Sequence, residues 1–183
     1  KEDLPLGTDQ PYLFSNLPGW GDLTEAAFTL ELELTDKAGN KTEVSRTYVK
    51  DVTLPTITSV AFECNNTTAT VTFSEPVYST ANASGNLSAT SLTYNFNDPD
   101  AKTQVNGLAV AHTAGTGTAT ITLTMQGGEF VDGNETFEIL ANGANKIYDK
   151  AGNAMVAVAK SGDMRVTPAA PTAAAQSFCA INN

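Results

Sequence analysis

Apolar and polar residues alternate with a period of two along most of this chain. Thr29-Leu30-Glu31-Leu32-Glu33-Leu34 and Val44-Ser45-Arg46-Thr47-Tyr48-Val49 are the first clear cases. Alternation places one set of side chains on each face of a half-buried strand. From Leu54 onward the pattern predicts strands at Ile57–Phe62, Thr68–Phe73, Ser91–Phe96, Leu108–His112, Ala119–Met125 and Thr136–Ala141. A broken last strand follows at Met155–Ala159 with Met164–Val166. Turn chemistry separates them: Cys64-Asn65-Asn66, Asn97-Asp98-Pro99-Asp100, Gly127-Gly128 and Asp132-Gly133-Asn134. No segment sustains apolar spacing of three and four, and Ala173-Ala174-Ala175 is too short to hold a helix alone. Short, regularly spaced strands of this kind predict an all-β sandwich or barrel.

The pentapeptide Asp-Lys-Ala-Gly-Asn occurs at Asp36–Asn40 and again at Asp149–Asn153, each time between two strand-like runs. Asp opens such a turn by accepting a backbone N–H, and Gly takes the left-handed position. The two copies lie about one all-β domain apart. The chain is therefore expected to divide into residues 1–52, the closing part of one domain; 53–167, a whole domain; and 168–183, a linker that holds the first strand of a next domain or a docked tail. Pro11–Phe14 adds one more candidate strand to the first segment. Three strands there can hardly bury a core, which leaves Phe28, Leu30, Leu32 and Leu34 needing a cover.

Charge narrows the partners. Asp and Glu outnumber Lys and Arg 20 to 10, for a net charge of −10. That balance argues against nucleic acid and anionic membranes. It fits a secreted protein or one whose carboxylates collect divalent cations. No 18-residue apolar run offers a membrane span. The opening Lys1-Glu2-Asp3-Leu4-Pro5 lacks the shape of a signal peptide, so either one was removed or this is an internal fragment. Six N-x-S/T sequons, at Asn40, Asn65, Asn66, Asn82, Asn86 and Asn134, read as by-products of Asn/Thr-rich loops.

Three segments in order resemble a known family. Asp51-Val52-Thr53-Leu54-Pro55 is similar to the D-x-T-x-P linker that opens many bacterial immunoglobulin-like repeats. Val71-Thr72-Phe73-Ser74-Glu75-Pro76-Val77 is similar to their TFSEPV strand and bend, and Tyr148–Met155 to their closing DxAGNxM hairpin. The resemblance runs from Asp51 to about Val166. Residues 1–52 carry only the closing motif and the strand after it. The family implies a Greek-key immunoglobulin-like β-sandwich in surface-layer proteins, adhesins and multidomain secreted enzymes, and it implies no catalysis. The two cysteines and the long Ser79–Ser91 loop depart from its pattern.

Enzyme chemistry is poorly supplied. His112 is the single histidine and reads as a solvent-facing or edge residue, with no nucleophile-elbow or metal spacing beside it. Gly115-Thr116-Gly117 reads as a turn between strands, without the strand-to-helix context that phosphate binding uses. Glu31 and Glu33 share one strand face, read as solvated. In an immunoglobulin-like sandwich the linker before the first strand and two of the loops meet at one pole. That would gather Asp51, Glu75 and Asp149 with Asn153 near, an oxygen set suited to Ca²⁺ though short of the six to eight ligands that ion takes. Asp98, Asp100 and Asp132 form a second acidic set. Cys64 and Cys179 fit no metal or redox spacing. The tail is long enough to return Cys179 to Cys64 as a disulfide in an oxidising compartment; free buried thiols or bonds to another chain are the alternatives.

The first functional reading is a non-catalytic structural or adhesion module of a secreted or cell-surface bacterial protein. Its partners would be neighbouring immunoglobulin-like domains or further copies of itself. A second is a self-assembling extracellular fibre subunit joined by strand exchange, since Pro171-Thr172 and the run after it parallel Pro55-Thr56 and the strand after that. A third is an accessory module of a secreted glycan-active enzyme, for which Trp20, Tyr94 and Phe96 are the candidate sugar platforms.

Overall fold

The computed structural model describes residues 14–16, 18–127 and 132–164. The expected strand at Pro11–Phe14, the end of the last strand at 165–166, the Gly127-Gly128 turn and the tail with Cys179 fall wholly or partly outside them. Two compact units meet between Val52 and Thr53. The described residues form nine strands and two single 3₁₀ turns, with no α-helix.

Among its described residues the first unit holds one antiparallel hairpin, β1 (Ala27–Thr35) and β2 (Lys41–Val49), closed by the first Asp-Lys-Ala-Gly-Asn turn. Its register pairs Phe28 with Tyr48, Leu30 with Arg46, Leu32 with Val44 and Leu34 with Thr42. Because residues directly opposite share a face, these eight form one largely apolar side. The other side carries Thr29, Glu31, Glu33, Glu43, Ser45 and Thr47. Trp20, from the 3₁₀ turn Trp20–Asp22, packs edge-on against Phe28 at 5.8 Å, and Phe28 stacks on Tyr48. Lys50 lies over the Trp20 ring, its ammonium donating to the carbonyls of Trp20 and Leu23. No described residue of this unit is fully buried, and Leu34 is 55% exposed.

The second unit is an immunoglobulin-like sandwich. One sheet runs β3 (Ile57–Phe62), β4 (Thr68–Val77), β7 (Thr116–Gly127) and β6 (Thr103–His112) in spatial order. The other runs β5 (Leu92–Asn97), β8 (Thr136–Ala141) and β9 (Lys160–Gly162). Taken as strands A to G, this is the ABED and CFG arrangement of constant-type immunoglobulin domains. All ladder pairings are antiparallel. Alternation builds the core: Ala69, Val71 and Phe73 of β4 and Ala119, Ile121 and Leu123 of β7 face Leu92, Phe137, Ile139 and Ala141. Phe62 meets Phe137 edge-on at 5.0 Å, and Tyr94 stacks on the same ring. Each such side chain, fully buried, is worth roughly 1.5–3 kcal/mol. The outward row of β7 is Thr118, Thr120, Thr122 and Thr124, all exposed, so short hydroxyls wet this face without charge.

The last strand differs from its expected position. Met155 is buried and donates back to the Ile147 carbonyl, but Val156 and Val158 are exposed and a tight turn joins Val158 N–H to the Val156 carbonyl. Pairing with β8 begins only at Lys160 and ends with Gly162 opposite Phe137. Close approach explains this register. A Cβ on Gly162 would stand 2.8 Å from Val60 Cγ1 and 3.0 Å from the Phe62 ring, so a residue without one must sit where β3 closes on β9.

Candidate functional site

The two Asp-Lys-Ala-Gly-Asn turns adopt one geometry. In the first, Asp36 Oδ1 accepts the Ala38 and Asn40 amides, both at 2.8 Å, and Oδ2 accepts Asn40 Nδ2 at 2.7 Å. In the second, Asp149 Oδ1 accepts the Asn153 amide at 2.8 Å and Oδ2 accepts Asn153 Nδ2 at 2.7 Å. Gly39 and Gly152 hold φ near +90°, at 88° and 91°. The surroundings separate them. Asp36 is exposed, and the Asn40 side-chain donor, joined by backbone N–H groups, lowers its pKa below the ordinary 3.8. Asp149 is 0% exposed.

Burial of Asp149 follows from its neighbours. Ile147 is a core residue. Tyr148 exchanges both backbone hydrogen bonds with Tyr78, at 2.8 and 2.9 Å, pinning the turn to the chain that leaves β4. Glu75 lies in β4 at Pro76, within the register shift between Thr72 and Val77, where the ladder to β7 lapses. Pro tolerates such a lapse because it has no N–H to pair. The bend brings a Glu75 carboxylate oxygen within 4.8 Å of one from Asp149. On the other side of the turn, Asn153 Nδ2 donates to the Thr53 carbonyl at 3.4 Å, so the second unit's first residue passes beside it. Asp51 belongs to the end of the first unit, two residues ahead of Thr53 along the chain.

The second acidic set is organised around a lysine. Asp98 accepts the Asp100 and Thr103 amides and so caps its own turn. Lys102 pairs with Asp100 and stands 3.5 Å from Asp132. The Lys102 hydrogen bond lowers the Asp100 pKa, and that same contact raises the pKa of Lys102. An ammonium thus occupies the place a cation would take.

His112 ends β6, an edge strand of its sheet as expected, but it is half-buried rather than solvent-facing. It lies on the inward side of β6, opposite buried Ala119. Its Nδ1 accepts the Leu87 amide at 3.1 Å, which leaves the proton on Nε2, 3.3 Å from the Thr116 carbonyl. Burial is the main reason its pKa falls below 6.5; the Thr116 carbonyl opposes this. No sequence signal marked Leu87 as its partner, because that contact joins residues from a loop and a strand end. Of the aromatic candidates, Tyr94 and Phe96 pack against the core, and the Tyr94 hydroxyl donates to the Val105 carbonyl. Trp20 is half-buried beneath Lys50. Glu33 pairs with Lys41 on the hairpin's polar face, beside exposed Glu31. The Gly115–Gly117 segment includes the tight turn that enters β7. Cys64 sits in the β3–β4 turn, where Asn65 Oδ1 accepts the Thr67 and Thr68 amides; Cys179 lies outside the described residues.

Residues 21–52 match the family model of a bacterial immunoglobulin-like domain. The match takes in the end of the 3₁₀ turn, β1, the first pentapeptide turn and β2, and ends before the TFSEPV and second DKAGN segments. It supports the family resemblance from a part of the chain that carries only the closing motif and the strand after it. No curated protein and no solved structure matches the chain. No helix among the described residues is long and apolar enough to cross a membrane.

Proposed function

We propose that the chain is a non-catalytic immunoglobulin-like module of a secreted or cell-surface bacterial protein, which spaces or presents other domains or takes part in adhesion. The match of residues 21–52 to a bacterial immunoglobulin-like domain, directly ahead of a complete immunoglobulin-like sandwich, carries this reading. A hairpin that matches part of one such domain, followed along the chain by a whole sandwich, is the organisation a stretch of a spacer array would have. The natural partners are neighbouring domains of the same kind. Cys64 and Cys179 form a bridge in this reading, which ties the tail to the β3–β4 turn in an oxidising compartment.

Ca²⁺ at the linker completes the proposal. Asp149 and Glu75 bring two carboxylates within 4.8 Å of each other, and a divalent cation would offset their mutual repulsion. Asn153 donors offset part of it. The donor set is all oxygen, as Ca²⁺ prefers, and Asp51 is tethered close enough along the chain to supply a third carboxylate. An ion there would stiffen the joint ahead of the sandwich. Since a ligand bound only by the folded state raises stability by mass action, Ca²⁺ raises the melting temperature at fixed ionic strength, and Glu75→Gln blunts the rise. Fixed ionic strength is essential, because plain screening also helps a chain of net charge −10. A rise no larger than that in matched NaCl removes the ion from the account.

The open apolar side of the β1–β2 hairpin favours one rival, the strand-exchanging fibre subunit. There a second copy would cover Leu32 and Leu34, which are 39% and 55% exposed. Array modules are the simpler source of such a hairpin, and the dependence of mass on concentration separates the two.

A further inference from the structure

We propose that His112 is a pH-operated latch: its neutral imidazole holds the Ser79–Ser91 segment against the β6–β7 hairpin, and protonation lets that segment go.

The geometry carries the proposal. The segment crosses from β4 to β5 and is anchored at few places. Leu87 is 2% exposed and is its one large apolar plug in the core. The Leu87 amide donates to His112 Nδ1, and next to it the Asn86 side-chain carbonyl accepts the Ala114 amide at 2.8 Å. These two contacts fasten the segment to the β6–β7 turn. Further toward β4, Thr80, Asn82 and Ser84 hydrogen-bond only among themselves in the contacts seen. Ala81 lies against the second pentapeptide turn, its carbonyl oxygen only 2.8 Å from where a Cβ on Gly152 would be. The segment thus runs from the imidazole to the turn that buries Asp149.

A neutral imidazole offers one acceptor and one donor, and both are used: Nδ1 by the Leu87 amide, Nε2–H by the Thr116 carbonyl. An imidazolium has two donors and no acceptor. Protonating Nδ1 sets its new N–H against the Leu87 N–H, so the latch bond is replaced by a donor–donor clash. Among the described residues no carboxylate bonds the ring in compensation, and on β4, which pairs with β7, the one charged residue is Glu75. The segment 80–91, β6 and β7 contain no Asp, Glu, Lys or Arg. Tyr78, just past the end of β4 and ahead of this segment, is a further titratable side chain here, its hydroxyl lying against Gly115 in the β6–β7 turn. The lowered pKa of His112, caused first by burial, agrees with this setting.

The sign follows from linkage. A histidine whose folded pKa lies below its unfolded value of 6.5 favours folding in its neutral form. The latch is fully closed above about pH 6.5 and opens as pH falls through the lower folded value.

The test is an NMR pH titration of the intact chain, from pH 7.5 to 4.5. His112 is the single histidine, so its ring signal is unambiguous. The expected result is a ring midpoint below 6.5. At the same midpoint the Leu87 and Ala114 amides should shift and lose exchange protection, after correction for intrinsic rates, while core amides such as Ile121 keep theirs. In His112→Gln the pH-dependent step at Leu87 and Ala114 should vanish. If that variant does not fold, the wild-type titration alone decides. A midpoint at or above 6.5, or a ring that titrates while the Leu87 amide stays protected, overturns the latch.

Discussion

One pentapeptide in two settings separates what a turn needs from what a site needs. Asp36 and Asp149 make the same side-chain bonds to the Asn four residues on, yet one is solvated and the other sealed. Both glycines hold a backbone conformation that costs an L side chain about 1–2 kcal/mol. Gly39→Ala adds only that, because nothing lies within 4 Å of the new Cβ. Gly152→Ala must also displace the Ala81 carbonyl, so it is expected to cost clearly more, beyond about 2 kcal/mol. Urea denaturation of the two variants checks the order; equal losses would mean that the Ala81 contact carries no weight. The depressed Asp36 pKa sets the acid side of the first turn. Its contribution is full above the ordinary 3.8 and is lost as pH falls through the lower folded value.

Strands were readable in proportion to how cleanly their burial alternates. Thr136–Ala141 has the expected bounds because Phe137, Ile139 and Ala141 are buried in strict alternation. Ile57–Phe62 has them too, set by its flanking turns, although a register shift between Ile57 and Ser59 interrupts its alternation. β6 was read as Leu108–His112 but begins at Thr103, because a register shift between Val105 and Gly107 breaks the period of two. β4 runs on through Pro76 to Val77 for the opposite reason: a proline that looked like an end sits in a lapse of the ladder. The last strand was misplaced because its register depends on space at Gly162, which is set by Val60 and Phe62 on a distant strand. The candidate site was readable as far as local turn chemistry reached, which brought out Asp149 and Asn153. The role of His112 was not, since it rests on a contact with Leu87, 25 residues away. The two sheets of the sandwich are held by the ring of Phe137, which meets both Phe62 and Tyr94. Phe137→Ala should therefore cost the second unit about 3–5 kcal/mol in urea denaturation. The β1–β2 hairpin belongs to a separate compact unit, so its amide resonances should stay in place.

At the scale of the molecule, the described residues hold one immunoglobulin-like sandwich and, earlier in the sequence, a hairpin that matches part of a bacterial immunoglobulin-like domain. The contacts that stand out among the described residues hold connections in place. The Asp149 turn ties the β8–β9 connection to β4 and to the start of the second unit, and His112 ties a long loop to a hairpin. The apolar side of β1–β2 is where the account is most exposed to contradiction. If the chain is a spacer, that side does not recruit further copies. If it is a fibre subunit, it must. Light scattering after size separation, across a hundredfold range of concentration and with either Ca²⁺ or a chelator present, decides between them. The account predicts a single species of 19.1 kDa throughout, with Ca²⁺ changing stability and not mass. Mass that climbs with concentration in steps of one chain, and that falls back when Leu32 and Leu34 are replaced by Lys, would contradict it.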